Sequence, residues 1–389
     1  MAEKAFITPS VIKWARETAR FSIEDAAKKM SKEPELLIKW ESGEGVPTIS
    51  QAEKLAKIYR RPFALFFLPG PPKDFQPLQD FRQPGSKALS TASAFIIREI
   101  SENQAWMREV AEDSGEKKLG FIGRFTEKDN PKAVAEDILR TLGVDPIKYE
   151  KSPTPLLQWI RRAEAVGINV SRASSVHNKL KIDPEELQGF AIADPFAPFV
   201  FINSADWERA QLFTLVHELA HLWINASGIS NEIELRDKSD ERLNPVERFC
   251  NKVAGNVLMP REIMEKIKQS GYLAYEVFKD FSSKYGVSSF ALLVRAKELD
   301  IINWSEYKNL KEKAENEYID FIRRKANNKK KQKEKEGGPS YYILQLNKNG
   351  RLFTQHVLDA YYDGAIMATE ASGLLNIKIN KIANIRAAL

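Results

Sequence analysis

The chain has 389 residues, with 59 Lys and Arg against 53 Asp and Glu for a formal net charge of +6. A hydrophobic content of 43% beside 29% charged residues is that of an ordinary globular protein, and a single Cys excludes an internal disulfide. No stretch approaches the ~18 apolar residues of a membrane span, and MAEKAFITPS has no apolar signal core, so a cytoplasmic protein of two or three domains without membrane contact is expected.

Residues 1–70 read as an all-helical unit. Thr8-Pro9 starts a helix through VIKWARETAR, and Ser22 with Asp25 starts SIEDAAKKM in capping-box style. EPELLIKWESG has Pro34 in its first turn and Gly43 at its end, and Thr48 with Gln51 caps ISQAEKLAKIY. Two short helices joined by a tight turn, ending in WESGEGVPT, resemble an Xre-type helix-turn-helix domain, a fold that normally places its third helix in the major groove. Lys32, Lys39 and Arg16 are the candidate DNA contacts, but Glu33 and Glu35 stand near the start of the third helix, where phosphates would press. DNA binding and the gripping of a protein partner both remain open for this unit.

Residues 71–150 form a connection and helical scaffold. RRPFALFFLPGPPKDFQPLQDFRQPG, from residue 60 to 85, combines six prolines with a block of aromatics, which predicts an ordered rather than a flexible tether. A long amphipathic helix is expected from Ser90 to about Asp113, and another over 131–143, ending at Gly143. In 151–310, PLLQWIRRAEAVG should be a helix leading into a short strand, INVSR. QGFAIADPFAPFVFIN from Gln188 to Asn203 reads as a β-hairpin that supplies an edge strand for an extended peptide.

The chemistry is concentrated in LFTLVHELAH, residues 212–221. On a helix, His217 and His221 share one face and can grip one metal ion. Glu218 is placed to take a proton from water that the metal activates. A third protein ligand is needed, and Ile224 and Ser227 close the route to a third His in the extended HExxHxxGxxH form. The next helix, NPVERFCNKVAGNVLMP, starts at Asn244-Pro245 and carries Glu247 at the edge of its apolar stripe. Glu247 can point at the metal or complement the helix dipole. Glu232, Glu234, Asp237, Asp240 and Glu241 compete from a polar loop, and Cys250 is a ligand or a packing residue. His177, in SSVHNKLK, reads as a surface residue.

Helices are expected around 261–268 and 272–284, then in GVSSFALLVRAKELDII with Val287-Ser288 at its cap and Arg295 in a structural role. Residues 311–338 end in a lysine-rich run, read as a solvated linker that holds much of the basic excess. In 339–389, SYYILQLNKNGRLF predicts two strands around Asn349-Gly350, followed by helices near Gln355–Asp363 and Ala368–Leu375, a small αβ accessory domain. His356 has no carboxylate partner at helical spacing and is read as non-catalytic.

FTLVHELAHLWI followed by ERFCNKVAGNVLMP resembles the ImmA/IrrE-type metallopeptidases, whose HExxH precedes Glu-x-x-Ala-Asn and a Leu-Met-Pro ending. Here Cys250 replaces the Ala, while Asn251 and Leu258-Met259-Pro260 fit. The resemblance extends to the RRPFALFFLP-then-DFR pattern of full-length members with an Xre-type domain. It implies His217, His221 and Glu247 as ligands of Zn2+ (or Mn2+, which suits the same donors), and Glu218 as catalytic base. It also implies an endopeptidase acting on a DNA-binding repressor or antitoxin as a regulatory switch in stress response, mobile-element or toxin-antitoxin control. The competing reading is a transcriptional regulator or antitoxin-like interaction module with a non-catalytic or sensory zincin domain. The expected fold class is mainly α with small β elements (α+β): a helix-turn-helix bundle, a zincin-like domain with a short hairpin, and the αβ accessory domain.

Overall fold

A computed structural model of the chain describes residues 3–72, 78–82, 86–146, 154–177, 180–230, 244–270, 274–332 and 340–389. The chain falls into two compact units. The first holds residues 1–78, 87–99 and 175–182, and the second holds 79–86, 100–174 and 183–389.

The first unit is built on α1 (Pro9–Thr18), α2 (Ile23–Met30), α3 (Pro34–Ser42) and α4 (Ile49–Tyr59). Local signals set their ends. The Ser22 side chain accepts from Asp25 N–H, and Thr48 and Gln51 form the complete capping box. Gly43, at φ +83°, ends α3 in the left-handed conformation. Val11, Ile12, Ala15, Met30, Leu37, Trp40, Leu55 and Tyr59 close the core. Lys32, Lys39, Glu33 and Glu35 are all exposed on and before α3. Arg16 does not join them as a DNA contact. It is buried, with Nε and Nη2 donating to the Glu41 carboxylate at 2.8 and 2.9 Å and Nη1 to the Phe21 carbonyl. Its place one turn after Ile12 puts it on the core-facing side of α1.

The second unit surrounds a five-stranded sheet. Its strands are β1 (Gln79–Asp80), β2 (Asn169–Ala173), β5 (Gly189–Ile192), β6 (Phe199–Asn203) and β7 (Gly228–Ser230), in the order β1-β7-β5-β6-β2. A separate pair, β3 (Ser175–His177) and β4 (Leu180–Lys181), groups with the first unit. The predicted hairpin is present as antiparallel β5 and β6, but it supplies no edge. β7 pairs with the far side of β5, β2 runs parallel to β6, and β1 caps β7.

Helices α6 (Pro131–Leu142), α7 (Pro155–Ala165), α8 (Glu208–Trp223) and α9 (Pro245–Leu258) pack with this sheet, and α5 (Thr91–Asp113) precedes them. Trp223 anchors the layer. Its ring stacks on Phe121 at 4.6 Å, and its Nε1–H donates to buried Asp137 at 2.8 Å. Helices α10 (Arg261–Gln269), α11 (Tyr275–Tyr285) and α12 (Ser289–Glu298) follow. Buried Arg295 donates to the Met259 carbonyl, Asn256 and Glu298, tying α12 to the end of α9, which is the structural role expected for it.

Two expectations in the C-terminal quarter need correction. The run read as a linker is helix as far as Gln332 in α13 (Trp304–Gln332), because no Gly or Pro interrupts residues 304–336; the rest of it lies outside the described residues. The predicted hairpin at Asn349-Gly350 is instead the junction of α14 (Tyr341–Asn349) and α15 (Arg351–Tyr362), so the described residues of the accessory segment are helical, with α16 (Ala368–Leu374) and α17 (Ile382–Ala388) after them. Long-range partners decide this. Glu164 Oε1 accepts from the N–H groups of Arg351 and Leu352 at 2.8 and 3.2 Å, capping α15, and Asn349 Nδ2 donates to the Leu375 carbonyl. Ser171 of β2 donates to the Lys348 carbonyl, so α14 lies along the β2 edge.

Candidate metal centre

The sequence LFTLVHELAH lies within α8, where every residue from Gln211 to Trp223 is buried. A helix this apolar is stable only when covered on all sides, and the sheet, α6, α7 and α9 supply that cover. His217, Glu218 and His221 are therefore fully buried polar groups among apolar neighbours, a costly arrangement unless something pairs with them.

α9 supplies the partner. The Asn244 side chain caps its N-terminus by accepting from Val246 N–H, and Pro245 occupies the first turn. That fixes Glu247 in the first turn with its side chain turned inward, 2% exposed. Its Oε1 lies 3.1 Å from His221 Nε2, its Oε2 3.3 Å from His217 Nε2, and the two Nε2 atoms are 3.1 Å apart. Two imidazole lone pairs and a carboxylate aimed at one point repel each other unless a proton or cation joins them. Donors held ~2.0–2.1 Å from a tetrahedral zinc ion stand roughly 3.3 Å apart, so the spacing between the two imidazoles, and from each imidazole to the carboxylate, is that of a zinc ion's donors.

The protonation states suit the same ion. Burial lowers the pKa of His221, against the opposing pull of Glu247, which favours the neutral ligand form. Burial pushes Glu247 upward, but the two histidines outweigh it and hold the carboxyl at about 2. Asn251, one turn after Glu247, places Oδ1 2.9 Å from His217 Nδ1, so that nitrogen donates and Nε2 keeps its lone pair for a metal.

Glu218 is different. Neither carboxylate oxygen has a hydrogen-bond partner among the described residues. Burial, and then the charge of Glu247, raise its pKa well above the ordinary carboxylate value, with Ser230 acting weakly the other way. A buried carboxyl with a raised pKa beside two imidazoles and a carboxylate has the chemistry to carry a proton. Gly189 makes the room: a Cβ there would lie 2.8 Å from Glu218 Oε1 and 2.7 Å from Thr214 Cγ2.

Cys250 is the other donor nearby. Its Sγ and donor nitrogens of His217 and His221 lie within 4.8 Å of one another. Burial and the charges of Glu247 and Glu218 raise its thiol pKa well above normal, which disfavours the thiolate that a metal needs. Glu247, at 3.1 and 3.3 Å and ionised, is the better third donor. The competing acids Glu232, Glu234, Asp237, Asp240 and Glu241 lie outside the described residues. His177 is exposed on β3, and His356 sits on α15.

Three contributors escaped the sequence reading. Ser230, at the end of β7, donates to Glu247 Oε1 at 3.2 Å and lies 3.4 Å from His221 Nε2. Phe81 stacks on the His221 ring, with centroids 5.4 Å apart and planes 18° from parallel. Gly189 is the third. Only Gly189 left a trace, a small residue opening an otherwise bulky strand; Ser230 and Phe81 are brought in by strand pairing that no local pattern announces.

The fold and these side chains define a helix-turn-helix protein with a metallopeptidase-like domain. Residues 163–297 match the family model of the IrrE N-terminal-like domain, and residues 12–66 match that of the helix-turn-helix. The chain thus joins an Xre-type helix-turn-helix domain to an ImmA/IrrE-type domain, as the two motif sets implied. No curated protein matches it. No described helix is long and apolar enough to cross a membrane.

Proposed function

We propose that this protein is a metal-dependent endopeptidase in which His217, His221 and Glu247 hold the ion and Glu218 is the catalytic base. One observation carries the reading: the Nε2 atoms of His217 and His221 and the two carboxylate oxygens of Glu247 converge at 3.1–3.3 Å beside a buried carboxyl that has no hydrogen-bond partner among the described residues. Zinc suits two imidazoles and a carboxylate, and manganese accepts the same set. When bound, the ion supplies Lewis acidity, making water a nucleophile at neutral pH and polarising the scissile carbonyl. Glu218 accepts the proton of the attacking water and delivers it to the leaving amine. Its burial keeps that proton from bulk solvent. Asn251 holds the His217 tautomer.

The substrate class follows from the resemblance: a DNA-binding repressor or antitoxin, cut as a transcriptional switch in the cytoplasm. The exposed Glu33 and Glu35 beside Lys32 and Lys39 fit a helix-turn-helix that engages a protein at least as well as DNA. The second reading, a regulator whose metal domain only senses or binds, rests on that same unit. New protein N-termini, compared between cells expressing the wild type and Glu218→Gln, separate the two. One or a few cuts present only with the wild type support the peptidase and name its target. No difference, repeated under DNA damage and phage challenge, overturns it in favour of the regulator. Purified Glu218→Gln should keep its metal.

A further inference from the structure

The sheet edge beside the metal centre is already taken. β7 ends at Ser230, which touches both His221 and Glu247, so its outer edge is where an extended chain comes closest to the site. Both sides of β5 are paired, and α14 lies along β2 at the opposite edge. β1 holds the β7 edge with two residues, Gln79 opposite Gly228 and Asp80 opposite Ile229, and the next residue, Phe81, donates its N–H to the Ile229 carbonyl at 3.1 Å.

The seat is shaped for Phe81. Its ring covers one face of His221 and is 3% exposed. A Cβ on Gly228 would lie 2.2 and 2.3 Å from two atoms of that ring and 2.8 Å from the Gln79 carbonyl oxygen. Gly228 is not among the positive-φ residues, so close approach, not backbone freedom, is the reason for glycine here. On either side of Phe81, Arg82 clasps Asp80 through two bonds of 2.8 and 2.6 Å, and Arg82 Nη1 reaches the Glu186 carbonyl. A two-residue strand is a minimal hold, far below the five or six residues usual for a strand, and such segments open at low cost.

We propose that residues 79–82 are an internal occupant of the substrate seat. A protein substrate displaces them as an extended segment that adds to β7 and sets an aromatic side chain in the pocket Phe81 fills. The protein is thereby restrained until its own strand is released, and it prefers targets with an aromatic residue at that position. This rests on the peptidase reading for what happens after displacement, but not for the displacement itself.

The test uses the full-length, metal-loaded chain and a fluorescent peptide of residues 76–83, QPLQDFRQ. Binding is read by anisotropy in a Glu218→Gln background, so that no cleavage is needed. Removing the internal ring should let the peptide bind Phe81→Ala at least about tenfold more tightly than the unaltered strand, since the pocket no longer has a resident competitor. The same peptide with Ala for Phe should not bind. With Glu218 intact, Phe81→Ala should cleave unfolded casein about tenfold faster than wild type, and the peptide should suppress the gain. Gly228→Ala expels the ring but closes the pocket, so residues 79–82 should lose amide-exchange protection without any gain in peptide affinity. Equal peptide binding with and without Phe81, in variants that unfold at wild-type temperature, overturns the proposal. If Phe81→Ala instead unfolds, amide exchange at 228–230 in the unsubstituted chain decides: it must slow as peptide is added, and no change sinks the idea. Peptide binding without cleavage of any protein would leave the seat standing and remove the peptidase reading. Cleavage indifferent to Phe81 would do the reverse.

Discussion

Asn251 offers the sharpest check on the proposed metal centre, because it is not one of the proposed ligands and yet should govern the ion's binding. Its Oδ1 accepts from His217 Nδ1 at 2.9 Å, and both side chains are buried. In Asn251→Ala the imidazole N–H loses its partner in a place water does not reach, a penalty of about 1–3 kcal/mol. Part of that falls on metal binding, because the ring no longer favours the tautomer with a free Nε2. Loss of such an outer partner typically costs about 10–100-fold in metal affinity, or roughly 1.4–2.8 kcal/mol, so the two estimates agree. Zinc affinity by competition with a chromogenic chelator measures it, with circular dichroism to verify folding. Asn251→Asp keeps an acceptor and adds charge that strengthens the imidazole as a ligand, so it should bind zinc within about tenfold of wild type. Wild-type affinity in folded Asn251→Ala would refute the reasoning and leave helix packing alone to orient the ring. Equal losses in both variants would reduce Asn251 to a packing residue.

Cys250→Ala should retain metal, whereas Glu247→Ala should lose more than the ~100-fold expected of outer partners; elemental analysis after dialysis distinguishes them, and the opposite order would make Cys250 the ligand. Asp137→Asn should cost about 1–3 kcal/mol by urea unfolding, since a 2%-exposed carboxylate serves Trp223, Arg124 and Arg140 together. Burial pushes the Asp137 carboxyl up, but those hydrogen bonds outweigh it and set it below its ordinary value. Its contribution is therefore full above the unfolded value near ~3.9 and is lost as pH falls below that through the folded one, so Asp137→Asn should unfold with a flatter pH dependence there. Arg16→Ala should lower the unfolding temperature, because it strands Glu41, while Lys32→Glu and Lys39→Glu should leave stability unchanged and alter only binding, whether to DNA or to protein. Equal stability losses in all three would contradict the burial assigned here.

The metal helix and its neighbour were legible because their information is local. HExxH fixes a face by helical spacing, and Asn244-Pro245 fixes where the next helix begins, hence where Glu247 points. The first four helices were readable for the same reason, through Ser22, Thr48 and Gly43. Errors arose wherever a distant residue decided. Asn349-Gly350 carries a strong local turn signal, but Glu164 captures the next two N–H groups and makes Gly350 the cap of a helix. The β5–β6 hairpin was recognised, yet whether a hairpin has a free edge depends on what pairs beside it, and Gln79 and Gly228 lie far apart in the chain. Arg16 was readable in principle: it lies one turn beyond Ile12 on the buried face of α1, and its charge drew attention from its position.

The two borders of the sheet have a bearing on how such a protein can be inherited or cut down. The region that carries family likeness, residues 163–297, contains β7 and β2 but not the segments that lie along them. Residues 79–82 come from before it, and α14 comes from well after it. Excised at its likeness boundaries, the domain would present two raw rows of backbone N–H and C=O groups and would tend to pair with its own copies. It would also forfeit Asp137, and with it the anchor of Trp223 at the end of the metal helix. The portable piece is therefore larger than the recognisable one. Recombination that moves this domain intact has to bring along a stretch from the tether and a tail that both lie outside the matched residues.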